Sequence, residues 1–467
     1  MIQVDDKDLQ KKVEKVYQAG QGHIFHFWDS LNAGQRDNLL KQIEMIDFDL
    51  LRRLIDQALE PQAEKQDQSL QPPDVIDLQT RKREDDKARQ IGEKAIAAGK
   101  VAAFLVAGGQ GTRLGFDAPK GMYPITPVKK KSLFQLHAEK IRAIGRKSKV
   151  EIPWYIMTSM TNYEQTKSYF EDNAYFGMDA DNVFLFVQEM IPAIDRQGKL
   201  ILDGPDHIFM NPNGHGGSIR AVWKSGALAD MKARGVDYIF YFQVDNVLTR
   251  ICDPVYFGYH IMGKSEMSCK VVHKKYPEEK IGILCRTGDK LHLIEYSDLD
   301  KEYMYAKNPD GSMKFWVGNI ATHIFDRRFL ERENKGGFRL PWHIALKSIP
   351  YINQQGDLIK PEDKNGIKFE TFVFDALVDA RRTTCVEVER KQEFSPLKNS
   401  EGENSPQTTR HDLIDLYSQW LEKAGFEIER DNDRLPLYTI EISPLISLEG
   451  ENLAGRVDKI SDDLYIG

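Results

Sequence analysis

Residues 101–121 read VAAFLVAGGQGTRLGFDAPKG: an unbroken apolar run, Val101–Val106, followed by fifteen residues that hold five glycines, Arg113 and Lys120. A short apolar run that ends in glycines reads as a strand buried on both faces, the kind found in parallel sheets covered by helices. Glycines cost conformational entropy, and charges beside a buried strand cost desolvation. Ligands of open α/β sheets bind at the carboxyl ends of the strands, so the position suits a binding loop.

The same texture continues outward. Apolar runs at Val101–Ala107, Trp154–Thr158, Val183–Gln188 and Tyr238–Val244 alternate with the helical stretches SLFQLHAEKIRAIGRK, TNYEQTKSYFED and GSIRAVWKSGALADMKARG. Alternation of this kind predicts βαβ units, hence an α/β fold: a central, mostly parallel, Rossmann-like nucleotide-binding sheet with helices on both faces. MSCKVV, GILCRT and KLHLIEY add short strands and an antiparallel part. Before this domain (96–385) lies a helical N-terminal region (1–95). There Leu39, Leu40, Ile43 and Ile46, then Leu50, Leu51, Leu54 and Ile55, recur at helical spacing, and 61–85 reads as a polar connector. A small mixed C-terminal domain (386–467) contains the loop NSEGENSPQ and a helix around DLIDLYSQWLEKAG. No internal repeat is present.

Composition narrows the function. At 467 residues, 41% hydrophobic and 29% charged, the chain has the profile of a globular protein. A net charge of −7 supplies no global field for nucleic acid or anionic membranes, so neither is an expected partner. Cys252, Cys269, Cys285 and Cys385 form no CxxC pair and read as free thiols of a reducing compartment. MIQVDDKDLQ lacks the apolar core of a signal peptide, and no apolar run reaches the length of a membrane span. The expected location is the cytoplasm.

Three ligands compete for the glycine loop. A Walker A loop needs GxxxxGK[ST], which is absent. A dinucleotide fingerprint needs GxGxxG; here the spacing is Gly109-x-Gly111-x-x-x-Gly115, with two cations. A triphosphate suits both the glycines, which let backbone N–H groups approach oxygens, and the cations, Arg113 as a planar fork and Lys120 as a point charge. The alternative is a glycine-rich turn with two solvated cations. Asp245, at the end of the run YFQVDNVL, is a natural Mg2+ ligand facing such a loop. Gln188, at the end of another, can donate and accept as the edge of uracil requires. NPNGHGGSIRAV is a second glycine-rich turn opening a helix, with donors for a nucleoside or a sugar.

GGQGTRLGFDAPKG resembles the signature GGxGTRLGxxxPKG of the eukaryotic-type UDP-sugar pyrophosphorylases, and the likeness runs from AGQGHIFHFWDSL to EISPLISLEGE. The resemblance implies a nucleotide-binding α/β domain with smaller flanking domains, and an enzyme that makes UDP-sugar and pyrophosphate from UTP and a sugar 1-phosphate. It implies nucleotide contacts from Ala107, Gly108, Gly109, Gly111, Thr112, Gln188, Gly214 and Asp245, with Mg2+, or Mn2+ in its place, on Asp245. Arg113, Lys120 and, from EFSPLKNSEG, Lys398 are implied as catalytic cations. His215, Gly282, Glu295, Asn319, Phe372 and Phe374 are implied at the sugar, and the two phenylalanines, two apart, are expected to share one strand face. Most of the chain follows the acetylhexosamine branch, which favours UDP-N-acetylglucosamine as product. Gly214-His215-Gly216 departs toward the glucose branch, since the acetylhexosamine branch carries asparagine between these glycines, and keeps glucose 1-phosphate as the alternative. A UDP-sugar-consuming glycosyltransferase, which has no use for Lys120, and a non-catalytic nucleotide-sugar sensor, which would lack one of the four charged residues, are the readings from other classes.

Overall fold

A computed structural model describes residues 1–60, 69–457 and 459–467, which group into two compact units. Residues 61–68 of the expected connector lie outside the described residues.

The larger unit takes in the described residues of Gln68–Val187, Ile219–Arg339 and Phe374–Gly467. Its centre is a ten-stranded sheet. The order across it is Val75–Ile76, Thr383–Glu387, Met267–His273, Val317–Asp326, Tyr238–Gln243, Val101–Val106, Trp154–Thr158, Val183–Val187. The last four of these run parallel, with Phe104 opposite both Tyr155 and Tyr241. Val317–Asp326 enters antiparallel between Met267–His273 and Tyr238–Gln243 and carries the hairpin Ile283–Thr287 and Lys290–Ile294. The predicted α/β class and its antiparallel addition are therefore present, with strand ends within a residue or two of those expected. Val101 to Leu105 and all of Trp154–Thr158 are buried, as strands covered by helices on both faces must be.

Helix ends follow local chemistry. Leu133–Ser148 starts where Ser132 Oγ accepts the Gln135 N–H at 3.1 Å and stops where Lys149 turns left-handed at φ 57°. The polar reading of 69–85 is corrected: a helix runs over Leu78–Ala97. Asp77 caps it, accepting from the Thr80 N–H at 2.7 Å, and Arg81 grips Asp85 one turn on at 3.2 and 3.1 Å. Charges at i, i+4 stabilise a helix that composition alone resembles a linker. It crosses Pro254–Met262 at closest range. A Cβ on Gly92 would lie 1.8 Å from the Pro254 carbonyl oxygen, and one on Gly258 would lie 1.9 Å from that of Ala88. The stretch 217–235 is two helices, Gly217–Lys224 and Ala227–Ala233, broken at left-handed Gly226. The C-terminal helix starts earlier than expected, at Pro406, under a Ser405 capping box.

The smaller unit takes in the described residues of Met1–Asp67, with Gln188–Ser218 and Leu340–Val373. Its helices Lys7–Gln18, Ala33–Met45 and Phe48–Leu59 bury Val13, Val16, Leu39, Ile43, Leu51 and Leu54 in one cluster with Ile194, Ile208 and Phe369. Asp47 divides the periodic run into two helices by capping the second, accepting from Asp49 and Leu50 N–H groups at 3.1 and 2.9 Å. Ile194–Asp195, Gly366–Glu370 and His343–Lys347 form its three-stranded sheet.

Candidate active site

In the larger unit the glycine loop leaves the carboxyl end of Val101–Val106. Ala107 is fixed on both sides: its N–H donates to the Met157 carbonyl at 2.8 Å, and its own carbonyl accepts from Asn162 Nδ2 at 3.1 Å. The loop then doubles back. Gly111 N–H donates to Ala118 O at 2.9 Å and Lys120 N–H to Gly109 O at 3.1 Å, so Gln110 faces Pro119. This divides the work of the glycines. Gly109 is exposed and a Cβ there would meet nothing within 4 Å, so its surface is open to a ligand. Gly111 is instead a packing residue, since its Cβ would lie 2.8 Å from Phe116. The Gly111 amide is bonded inside the loop, so of these two glycines Gly109 is the one whose surface stands open. Thr112 and Arg113 lie exposed on a 3-10 turn.

The hairpin delivers Lys120 to Asp245. The Tyr238–Gln243 strand ends two residues before Asp245, which stands on the following turn rather than on the strand itself. Lys120 Nζ lies 3.8 Å from Asp245 Oδ2, with the two side chains 16% and 14% exposed. The same ammonium donates to the Leu397 carbonyl at 3.3 Å, and the Leu397 N–H donates to the Asp245 carbonyl at 2.9 Å. Three segments far apart in sequence therefore meet: the signature loop, the VDN turn and EFSPLKN. Lys398 follows Leu397 directly, is exposed, and donates its N–H to Asn404 O at 2.8 Å. Elsewhere in this unit Asn319 N–H donates to Gly282 O at 2.9 Å, and Gly282 and Glu295 each lie one residue beyond the Ile283–Ile294 pair that ends the hairpin ladder.

In the smaller unit the second glycine turn packs on residues 370–372. Gly216 N–H donates to Thr371 O at 2.8 Å, Gly217 N–H to Gly214 O at 3.1 Å, and Ser218 N–H to His215 O at 3.3 Å. These three donors are bonded within the unit. A Cβ on Gly216 would lie 2.6 Å from backbone atoms of Thr371 and Phe372, so the glycine serves that contact. His215 stacks on Phe372 with ring centroids 5.3 Å apart, and its Nδ1 accepts the Val373 N–H at 3.2 Å. Burial, with His343 nearby, holds this imidazole down to about 4, so it is neutral near pH 7. An accepting Nδ1 leaves the proton on Nε2. Gln188, 5% exposed, follows the Val183–Val187 strand.

Phe372 and Phe374 do not share a strand face. The strand ends at Glu370 and Val373–Val378 is a 3-10 helix, so the pair falls on a change of geometry. Thr371 forces the change: its N–H and its hydroxyl both donate to Asn213 O at 2.9 Å, in place of a ladder bond.

Two residues behind the VDN turn were not anticipated. Lys140 Nζ donates to the Thr249 carbonyl at 3.0 Å and to that of Val247, and burial pushes this ammonium down to about 7. Its signal was legible: Leu136, Lys140 and Ile144 occupy one helical stripe whose other members are apolar. Asn246, the neighbour of Asp245, is 4% exposed and bonded through both ends of its amide.

Comparison with known proteins identifies the family. A family model described as UTP–glucose-1-phosphate uridylyltransferase matches residues 48–452. The UDP-N-acetylglucosamine pyrophosphorylase of Saccharomyces cerevisiae is 36% identical over 472 residues, covering 95% of this chain and 96% of that protein. The UDP-N-acetylhexosamine pyrophosphorylase-like protein 1 of Xenopus tropicalis is 36% identical over 479 residues, covering 96% and 94%. The crystal structure of the uridine diphosphate N-acetylglucosamine pyrophosphorylase of Trypanosoma brucei, in complex with inhibitor, superposes with a TM-score of 0.81 at 26% identity, covering 97% and 95%. With the family model spanning most of its length and relatives matched end to end, the chain belongs to the UTP–glucose-1-phosphate uridylyltransferase family.

Proposed function

We propose that this enzyme catalyses reversible uridylyl transfer from UTP to an N-acetylhexosamine 1-phosphate, N-acetylglucosamine 1-phosphate first, giving the UDP-sugar and pyrophosphate. The observation that carries this is the meeting of Lys120, Asp245 and the Leu397-Lys398 segment at the carboxyl ends of two adjacent parallel strands. A phosphate oxygen of the sugar 1-phosphate attacks the α-phosphorus of UTP. The bond between that phosphorus and the α,β-bridging oxygen breaks, and its electron pair leaves with pyrophosphate. The nucleophile is already an anion, so no general base is needed. The chain must instead bring two anions together and offset charge on the leaving group. Arg113, Lys120 and Lys398 are our assignment for that task, with the open backbone at Gly109.

Asp245 is our assignment for Mg2+. A single partly buried carboxylate fits an ion bound through one protein oxygen ligand and substrate phosphates. Among the described residues no group of three His, Cys, Asp or Glu could hold a metal, which suits this shared mode over an all-protein cage. When bound, the ion would supply Lewis-acid stabilisation of phosphate charge. Gln188 remains our candidate for uracil. Gly282, Glu295 and Asn319 remain our candidates for sugar hydroxyls, and the Asn319–Gly282 backbone bond, with Glu295 just beyond the end of the neighbouring hairpin strand, supports treating them as one group. Glucose 1-phosphate is the second reading, favoured by His215, whose stacking on Phe372 sets a bulky ring where the acetylhexosamine branch has asparagine. No helix of the described residues is long and apolar enough to cross a membrane, and all four cysteines are buried and unpaired. We assign the reaction to the cytoplasm on the thiols.

The test is pyrophosphate release from UTP with each sugar phosphate in turn. Release only with N-acetylglucosamine 1-phosphate is expected. Equal or greater kcat/KM with glucose 1-phosphate overturns the sugar, and no release with either overturns the reaction.

A further inference from the structure

The turn that carries Asp245 is joined to the segment that carries Lys398 by one buried side chain. Asn246 Nδ2 donates to the Glu393 carbonyl at 2.8 Å, and Asn246 Oδ1 accepts the Ser395 N–H at 2.9 Å. Backbone bonds flank the amide: Leu397 N–H to Asp245 O at 2.9 Å and a longer one, Val247 N–H to Ser395 O, at 3.4 Å. Upstream, the Glu393 carboxylate is anchored on buried Lys270, which also holds Asp253 at 2.8 Å. Downstream, Lys398 N–H is held by Asn404 O. Between these anchors Pro396 has no N–H to give, so the backbone N–H groups of residues 395–397 are held by the Asn246 amide and the Asp245 carbonyl, while the Ser395 hydroxyl donates to Asp412 Oδ2 at 2.6 Å and the Leu397 carbonyl accepts from Lys120.

An aspartate here would turn the Nδ2 donor into an acceptor facing the Glu393 carbonyl, and would bury a charge. An aliphatic residue would leave the Ser395 N–H and the Glu393 C=O without these partners. The donor and acceptor ends of an amide match the two groups they meet. We infer that Asn246 is a positioning residue: it latches residues 393–397 onto the turn behind Asp245 and so sets where Lys398 stands. The inference deepens the uridylyl-transfer reading and rests on it for the role of Lys398. The latch itself does not depend on that reading.

The experiment uses the full chain carrying Asn246→Asp, which keeps the shape, and Asn246→Ala. Each is combined with Lys398→Ala and read by pyrophosphate release and by amide hydrogen exchange. Exchange at Ser395 and Leu397 should accelerate about tenfold or more in both single variants, as expected when a buried hydrogen-bond partner is removed. Turnover should fall by about tenfold while the KM for UTP stays within about threefold. Since Asn246 acts through Lys398, the double variants should be no slower than Lys398→Ala within about twofold. A general structural defect would instead multiply with the loss from Lys398→Ala, and that result would overturn the inference. Unchanged exchange at Ser395 and Leu397 would overturn it whatever the turnover. Accelerated exchange in the variants of a parent that releases no pyrophosphate leaves the latch standing and defeats the reaction assignment alone.

Discussion

Replacing Lys120 by alanine isolates one charge at the meeting point of three segments. The ammonium stands 3.8 Å from Asp245 and 3.3 Å from the Leu397 carbonyl, with 16% of its side chain exposed. At about 4 Å and an effective dielectric of about 20, one pair of unit charges interacts by about 4 kcal/mol. A phosphate group with developing charge, held at similar range, would lose stabilisation of this order. Loss of one preorganised donor costs about 10²–10³ in turnover, or about 3–4 kcal/mol, which is consistent with the Coulomb figure. Stability should change far less, by about 1 kcal/mol, because the pair is partly hydrated and Leu397 O can rebond to water. The assay is steady-state pyrophosphate release at saturating UTP and N-acetylglucosamine 1-phosphate, beside urea unfolding of the same preparation. Lys120→Arg should retain part of the rate, since the charge survives but the bulkier fork does not fit a contact made for a point charge. If Lys120→Ala turned over within threefold of the parent, the ion pair with Asp245 would be structural and the proposed role of the hairpin would be wrong.

Asp245→Ala should abolish Mg2+-dependent turnover, and an unchanged Mg2+ titration midpoint and maximal rate would remove it as the metal ligand. Lys398→Ala should lower kcat more than it raises the KM for UTP, because its segment is taken to act after both substrates bind; a defect confined to UTP affinity would place it in ground-state recognition. His215→Asn should raise the kcat/KM preference for the acetylated sugar, and an unchanged ratio would show that His215 does not read the sugar. The same variant has a pH signature. The folded His215 pKa, about 4, lies below the unfolded value of about 6.5, so this group costs stability as pH falls from about 6.5 toward 4 and costs nothing extra above that window. The parent should therefore lose more stability than His215→Asn between pH 7 and pH 4.5 in denaturant titrations, and parallel losses would contradict a buried neutral imidazole.

Local pattern carried much of this molecule. Val101–Val106 and Trp154–Thr158 were readable because a strand covered on both faces is apolar at every position. The signature loop was readable because rare residue types coincide there. Features fixed by distant partners were not. Residues 78–85, the first part of Leu78–Ala97, look like a connector until Asp77 and the Arg81–Asp85 pair are seen holding them as a helix. The second glycine turn reads as a ligand loop, and its bonds from Gly216 to Thr371 and from Gly217 and Ser218 to its own carbonyls depend on folded geometry that the pattern does not show. Phe372 and Phe374 have the spacing of a strand face, but Thr371 bonds to Asn213 and the ladder stops. The latching role of Asn246 is likewise set by distant groups. Its partners, Glu393 and Ser395, lie almost 150 residues away, where no local pattern could supply them.

The crossing of Leu78–Ala97 with Pro254–Met262 has a genetic consequence. At Gly92 and at Gly258 the atom that forbids a side chain is a main-chain carbonyl of the other helix. Side-chain clashes can be relieved by trimming the neighbour, so they admit suppressors. A clash with the polypeptide backbone does not, because every residue type carries the same carbonyl. A suppressor screen begun from Gly92→Ala or Gly258→Ala should therefore return true revertants and no compensating change at the facing position, whereas one begun from an overpacked core side chain should return partners.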